Sequence, residues 1–153
     1  MIDFAKKEDI LQISSAIDRS DYSGFETQGL KVDKESLLLN ILRSIARRES
    51  IVIVGKIDGQ VEGIVVIHMR ESFYEVGSFI GTVAMWNVTE EYKNGILGLK
   101  MLKYAIKIAR MKGCNMIDAS YVPGHSPESL QKVYEKLGMK PVETLYRMEI
   151  YDA

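Results

Sequence analysis

The stretch VTEEYKNGILGLKML, residues 88–102, decides how this chain reads. It leaves the apolar run SFIGTVAMWNV (78–88), crosses a charged turn and enters a Lys- and Leu-rich run. Gly95 and Gly98 mark the join. With a strand before it and a helix after it, the turn presents the first helical N–H groups, which have no acceptor within the helix. Those groups and the helix dipole favour an anion such as a phosphate. Glycine lets a ligand approach the backbone, and Lys93 adds positive charge at the entrance. Read by itself, the stretch still fits a plain connector better, because two glycines three apart are a weak signal. It lacks the longer Walker loop and the three glycines of the dinucleotide fingerprint.

Working outward, Leu97–Lys112 is the clearest helix, with Leu102, Ile106 and Ala109 on one face and Gly113 as its stop. Upstream, SIVIVGKI (50–57) and QVEGIVVIHM (60–69) flank Asp58-Gly59. Asp-Gly between β-branched runs predicts a hairpin, since both turn positions need positive φ. The run 78–88 is the third strand of this meander. Before it, MIDFA predicts a short strand and Lys6–Ile17 a helix. Residues 18–32 are turn-rich. Asp33 caps a second helix with Leu38, Leu42 and Ile45 on one face. After Gly113, CNMIDASYV (114–122) predicts a strand. Ser126-Pro127 opens a helix as cap and first residue, and it runs to Gly138. PVETLYRMEI (141–150) predicts a closing strand with Val142, Thr144, Tyr146, Met148 and Ile150 on one face. The order is β-α-α-β-β-β-α-β-α-β, a mixed α/β chain with a meander followed by crossover units.

The bulk properties set the class. At 153 residues, 46% apolar and 27% charged, the chain has the dimensions of one soluble domain, residues 1–153. A net charge of −1 gives no global argument for nucleic acid or membrane partners. Cys114 is the lone cysteine, so no intrachain disulfide forms. No apolar run approaches a membrane span, and MIDFAKKEDI is not a secretory signal. A cytoplasmic location is expected, and no metal site.

A second motif, SLQKVYEKLGMKPV (129–142), places Tyr134 mid-helix four residues before Gly138. A tyrosine has a phenolic proton to give and can act as a general acid. Taken alone, a ring packed in the core with its hydroxyl at the rim explains it better.

In this order the two motifs resemble those of the GCN5-related N-acetyltransferase (GNAT) superfamily, over nearly the whole chain. The family's coenzyme motif is Val-x-Pro-x-Tyr-Arg-x-x-Gly-x-Gly/Ala followed by a Leu-rich helix. Val88, Tyr92, Gly98 and Leu102 match it without gaps, and Lys93 stands in for Arg. VYEKLGMKPV (133–142) looks like the later motif, one strand and one helix on, and FAKKEDILQI looks like the usual first strand and helix. The resemblance implies a splayed mixed β-sheet flanked by helices, with acetyl-CoA (coenzyme A) as cofactor. It implies pyrophosphate binding on the turn Lys93, Asn94, Gly95, Ile96, Leu97 and Gly98, with Leu99 beginning the helix. Backbone groups of Trp86 and Val88 would meet the pantetheine arm, and Tyr134 would protonate the leaving thiolate. The partners implied are an amine-bearing small molecule or protein, with a homodimer left open.

Two departures matter. Ile96 stands where the family has its first motif glycine, with Gly95 one position earlier. A β-branched residue resists positive φ, so either Gly95 takes the special conformation or phosphate binding weakens. Glu90 replaces the common Pro and adds a negative charge, which Lys93 or Lys100 would have to offset. The general base stays open among Glu75, Asp118, His125 and water, because 78–88 holds no acidic residue. His125 has a suitable unperturbed pKa, while Asp118 faces opposite to Ile117 and Ala119 if the strand alternates. His68 and Cys114 read as structural. The segment DYSGFETQGL (21–30) mixes acidic and aromatic residues that suit an amine, and a loop explains them equally. The expected activity is direct attack of a primary amine on the thioester of acetyl-CoA. The competing readings are a catalytically weak or inactive GNAT-like binding module and an unrelated α/β nucleotide-binding module.

Overall fold

The computed structural model describes residues 1–124 and 126–150, without the side chain of Thr27. Its strands are β1 (Ile2–Phe4), β2 (Ser50–Ile57), β3 (Gln60–Ser72), β4 (Glu75–Val88) and β5 (Met116–Asp118). Its helices are α1 (Ile10–Asp18), α2 (Ser23–Thr27), α3 (Lys34–Ala46), α4 (Leu97–Met111) and α5 (Ser129–Lys136). The chain forms two compact units, Met1–Asp21 with Asp33–Ala119, and Tyr22–Val32 with Ser120–Ala153.

The first unit holds one sheet in the order β1-β2-β3-β4-β5, antiparallel except for the parallel pair β4–β5. The mixed α/β class read from the sequence is thus borne out. Asp58 (φ 51°) and Gly59 (φ 79°) both take positive φ in the turn between β2 and β3, as the two-residue hairpin requires. The apolar runs of β2 and β3 are buried on both faces. Ile51, Ile53, Val65 and Ile67 pack with Met101, Ala105, Ile108 and Ala109 of α4. The alternating partners Val52, Val54, Ile64 and Val66 are buried too, on the face where α1 meets β3 and α3 meets β2. Asp33 caps α3 as expected, accepting from Ser36 N–H at 3.1 Å.

Two features shape the far end of β4. Val66 pairs with Met85 and Ile67 with Val83, so Ala84 is an extra residue. Such a bulge bends the strand and increases its twist. The β4–β5 ladder stops at Thr82↔Asp118, while β4 runs on to Val88. All of β5 is therefore paired, and β4 outruns it toward Val88.

In the second unit, α2 occupies part of the turn-rich segment where no helix was expected, and Tyr22 stacks on Phe25 at 6.1 Å. Residues 141–150 form no strand, and Val142, Leu145, Tyr146, Met148 and Ile150 are exposed. Alternation supplies a face but not a ladder partner. This segment is held by side chains instead: Arg147 Nη1 donates to Gln28 O at 3.3 Å and to Gln28 Oε1 at 3.1 Å. Ser126 does not cap α5, which begins at Ser129. Its hydroxyl instead accepts from Val122 N–H at 3.0 Å, so the local turn outcompetes the cap.

Candidate active site

α4 is seated by glycines. Gly55 and Gly63 are register partners on β2 and β3. A Cβ on either would lie 2.6 Å from Met101 Sδ. Together they form a notch for the buried Met101. One turn earlier, a Cβ on Gly98 would lie 3.1 Å from Val88 Cγ2 and 3.4 Å from Trp86 Nε1. The indole Nε1 of Trp86 donates to Gly98 O at 3.0 Å. These close approaches bring the start of α4 against the end of β4. They favour Gly98 for want of space, not for positive φ.

The same holds for the residues whose conformation was in question. Ile96 is the N-cap of α4 at φ −93°, ψ −7°. Neither Gly95 nor Gly98 has positive φ. The special conformation expected at Gly95 is absent, and Ile96, 65% exposed, sits at an ordinary φ. Its side chain cannot cap the helix. Lys100 N–H opens the ladder by donating to Ile96 O at 3.0 Å. The N–H groups of Leu97, Gly98 and Leu99 therefore point out of the helix start with no intrahelical acceptor. An anion fits there. Gly95 and Asn94 lie in the approach, and both are exposed.

Charge at this turn is finely balanced. Lys93 Nζ lies 2.7 Å from Glu90 Oε2. The hydrogen bond to Glu90 pushes the Lys93 pKa up, with its charge adding to the effect. Glu90 thus occupies the cation that would meet a phosphate. The Glu90→Ala variant is expected to bind coenzyme A about two- to fivefold more tightly, the scale of an exposed pair. Calorimetry at low salt checks this; unchanged or weaker binding would show that Lys93 does not face the ligand.

Tyr134 sits on α5 in the second unit, half-buried, with its hydroxyl donating to Ser120 O at 2.7 Å. Burial raises its pKa to about 12, because desolvation disfavours the phenolate. The base candidates separate. Glu75 begins β4, roughly 35 Å along the strand from Trp86 at ~3.3 Å per residue. Asp118 ends β5 opposite Thr82, where the ladder stops. Ile117 packs against the α4 core, so Asp118 faces the other side of the sheet. His125 lies outside the described residues. His68 Nδ1 lies 3.0 Å from Ser50 Oγ. Burial raises the Cys114 pKa, which keeps it a thiol. Among the described residues, no cluster of three His, Cys, Asp or Glu could hold a metal. No helix there is long and apolar enough to cross a membrane.

Sequence reasoning missed one cluster beside the turn. Glu62 of β3 is 4% exposed, with Oε2 at 2.6 Å from both Arg19 Nη1 and Thr89 Oγ1. The signal was present: Glu62 is a lone carboxylate inside the apolar run QVEGIVVI.

A meander running into a strand that outruns its parallel neighbour, then an uncapped helix start, is a mixed α/β arrangement of the acetyltransferase type that the sequence resemblance implied. Comparison bears this out: the Acetyltransferase (GNAT) family profile matches residues 12–139. The chain belongs to the GNAT acetyltransferase family. Similar solved structures include a Trypanosoma brucei acetyltransferase (20% identity, TM-score 0.70, covering 98% of this chain and 99% of that one). A transcriptional regulator from Bacillus halodurans matches at 19% identity and TM-score 0.75, with 98% and 99% covered. An aminoglycoside 6′-N-acetyltransferase from Acinetobacter haemolyticus matches at 12% identity and TM-score 0.74, with 100% and 99% covered. At these identities they speak to the fold. No curated protein sequence matches.

Proposed function

We propose that residues 1–153 act as a single N-acetyltransferase domain that transfers the acetyl group of acetyl-CoA to a primary amine. The observation that carries this reading is the uncapped start of α4, pressed against the end of β4 by Gly98, in a chain of the GNAT family. Family members typically use acetyl-CoA and act on amine acceptors. The coenzyme supplies an activated acetyl thioester. The N–H groups of Leu97, Gly98 and Leu99 would hold its pyrophosphate, with Lys93, Asn94, Gly95 and Ile96 forming the approach. The backbone of Trp86 and Val88 would align the pantetheine arm, since the Trp86 indole is already engaged with Gly98 O.

Tyr134 keeps its proton at neutral pH and, in the role the family resemblance implies, would donate a hydrogen bond to the departing sulfur. A phenol at about 12 is a weaker acid than a thiol near ~8.5. Tyr134 therefore stabilises the thiolate by donation more than by complete proton transfer. For the amine's proton, Asp118 or water serves better than Glu75, which lies at the opposite end of β4.

Release of coenzyme A thiol from acetyl-CoA over an amine panel tests the reading. Amine-dependent release is expected. Saturable coenzyme binding without release on any amine would instead favour a GNAT-like binding module, a reading also motivated by the Glu90–Lys93 pair.

A further inference from the structure

A buried carboxylate needs partners, because removing it from water costs several kcal/mol. Glu62 has two, and both lead to the coenzyme turn. Its Oε2 accepts from Arg19 Nη1 and Thr89 Oγ1, each at 2.6 Å. Arg19 Nη2 also donates to Val61 O at 3.2 Å. The backbone repeats the link: Thr89 N–H donates to Glu62 O and Glu90 N–H to Arg19 O, both at 2.9 Å. Thr89 is 1% exposed. It is thus held by its amide and its hydroxyl, immediately after β4 ends.

From Thr89 the hold passes forward. Tyr92 N–H donates to Thr89 O at 2.9 Å, and Gly95 N–H donates to Tyr92 O at 3.0 Å. Two successive tight turns therefore connect the buried carboxylate to the residue before the α4 cap. These bonds use the amides of Thr89, Glu90, Tyr92 and Gly95. They leave the outward-pointing amides of Leu97, Gly98 and Leu99 for a ligand.

We infer that Arg19, Glu62 and Thr89 form a clamp that presets the 89–98 turn for the coenzyme's phosphates, making Thr89 and Glu62 positioning residues for coenzyme binding. The inference rests on the coenzyme reading above. Its physical basis is preorganisation: a turn ordered before binding spares the ligand the cost of ordering it. None of the three touches the reacting atoms, so the clamp acts on coenzyme affinity and not on the chemical step.

Thr89→Val tests it, because valine keeps the shape and removes the hydroxyl. Thr89→Ser, which keeps the hydroxyl, serves as the rescue. A lost hydrogen bond to a charged group is expected to weaken coenzyme A binding about tenfold and raise the acetyl-CoA KM alike. At saturating acetyl-CoA, kcat should stay within about twofold, as for lost uniform binding. Without ligand, amide exchange at Tyr92 and Gly95 should quicken in Thr89→Val and return toward wild type in Thr89→Ser. A merely structural defect would lower the folded fraction and kcat without that split. Wild-type affinity and exchange in Thr89→Val would overturn the clamp while leaving the coenzyme reading intact. Failure of the wild-type protein to bind coenzyme A would overturn that reading, and the clamp's role with it.

Discussion

Replacing Tyr134 with Phe should lower kcat about a hundredfold, the scale of one hydrogen-bond donor aimed at developing charge, while coenzyme affinity stays within about threefold. The substitution removes one oxygen from a half-buried ring. Its ground-state partner is Ser120 O at 2.7 Å, and losing a bond of that kind costs about 1 kcal/mol or less at a partly exposed site. The charge on the departing sulfur develops only in the transition state. A donor aimed at it therefore shows in kcat and not in binding.

The pH dependence has a definite sign. Burial raises the phenol from 10.0 to about 12, so the proton is present throughout the neutral range. Any activity loss below pH 10 belongs to another group. Because the folded-state value is the higher one, the linked stability is complete below pH ~10 and is lost as pH rises through about 12. Steady-state kinetics on Tyr134→Phe decides the role: an unchanged kcat would remove Tyr134 from the mechanism.

Gly63→Val should damage the scaffold severely. A Cβ at Gly63 would lie 2.6 Å from Met101 Sδ, 3.1 Å from Met101 Cε and 3.3 Å from Asn87 O. Met101 has no accessible surface and cannot swing away. The backbone oxygen on β4 gives little either. Overpacking of this kind costs about 3 kcal/mol, or roughly 6–12 °C in Tm for a chain of this length. Met101 lies on the first turns of α4, so displacing it also shifts the helix start from β4 and weakens coenzyme binding. Thermal unfolding checks the claim. A Tm within 2 °C or so of wild type would show that α4 is not seated in the Gly55–Gly63 notch.

Much of the scaffold was legible because local chemistry and tertiary need agree there. Asp58-Gly59 specifies the hairpin, Asp33 the α3 cap, and the apolar spacing of 97–112 the face that α4 buries. Where residues compete for partners, local signals misled. Ser126 has the chemistry of a helix cap, yet Val122 N–H claims its hydroxyl. Residues 141–150 alternate like a strand, but alternation cannot specify a neighbour to pair with. The short α2 was hidden by turn-forming residues.

At the site, the residues of the coenzyme motif do gather where β4 meets α4. The concern over Ile96 came from assuming that its position needs positive φ. The turn is instead built from Thr89, Tyr92 and Gly95 hydrogen bonds without positive φ, and Ile96 is the residue just before the helix. The Arg19–Glu62–Thr89 cluster escaped notice because its members are 43 and 27 residues apart in the chain. Only the charge of Glu62 within an apolar strand hinted at it.

The central claim is that the start of α4 holds the coenzyme's phosphates. Titrating coenzyme A into wild-type protein while following backbone amide NMR shifts tests it most directly. Saturable shifts are expected at Leu97, Gly98 and Leu99, with a Kd on the order of micromolar, as is usual for substrates. Absence of saturable shifts at these amides up to millimolar coenzyme A would contradict it.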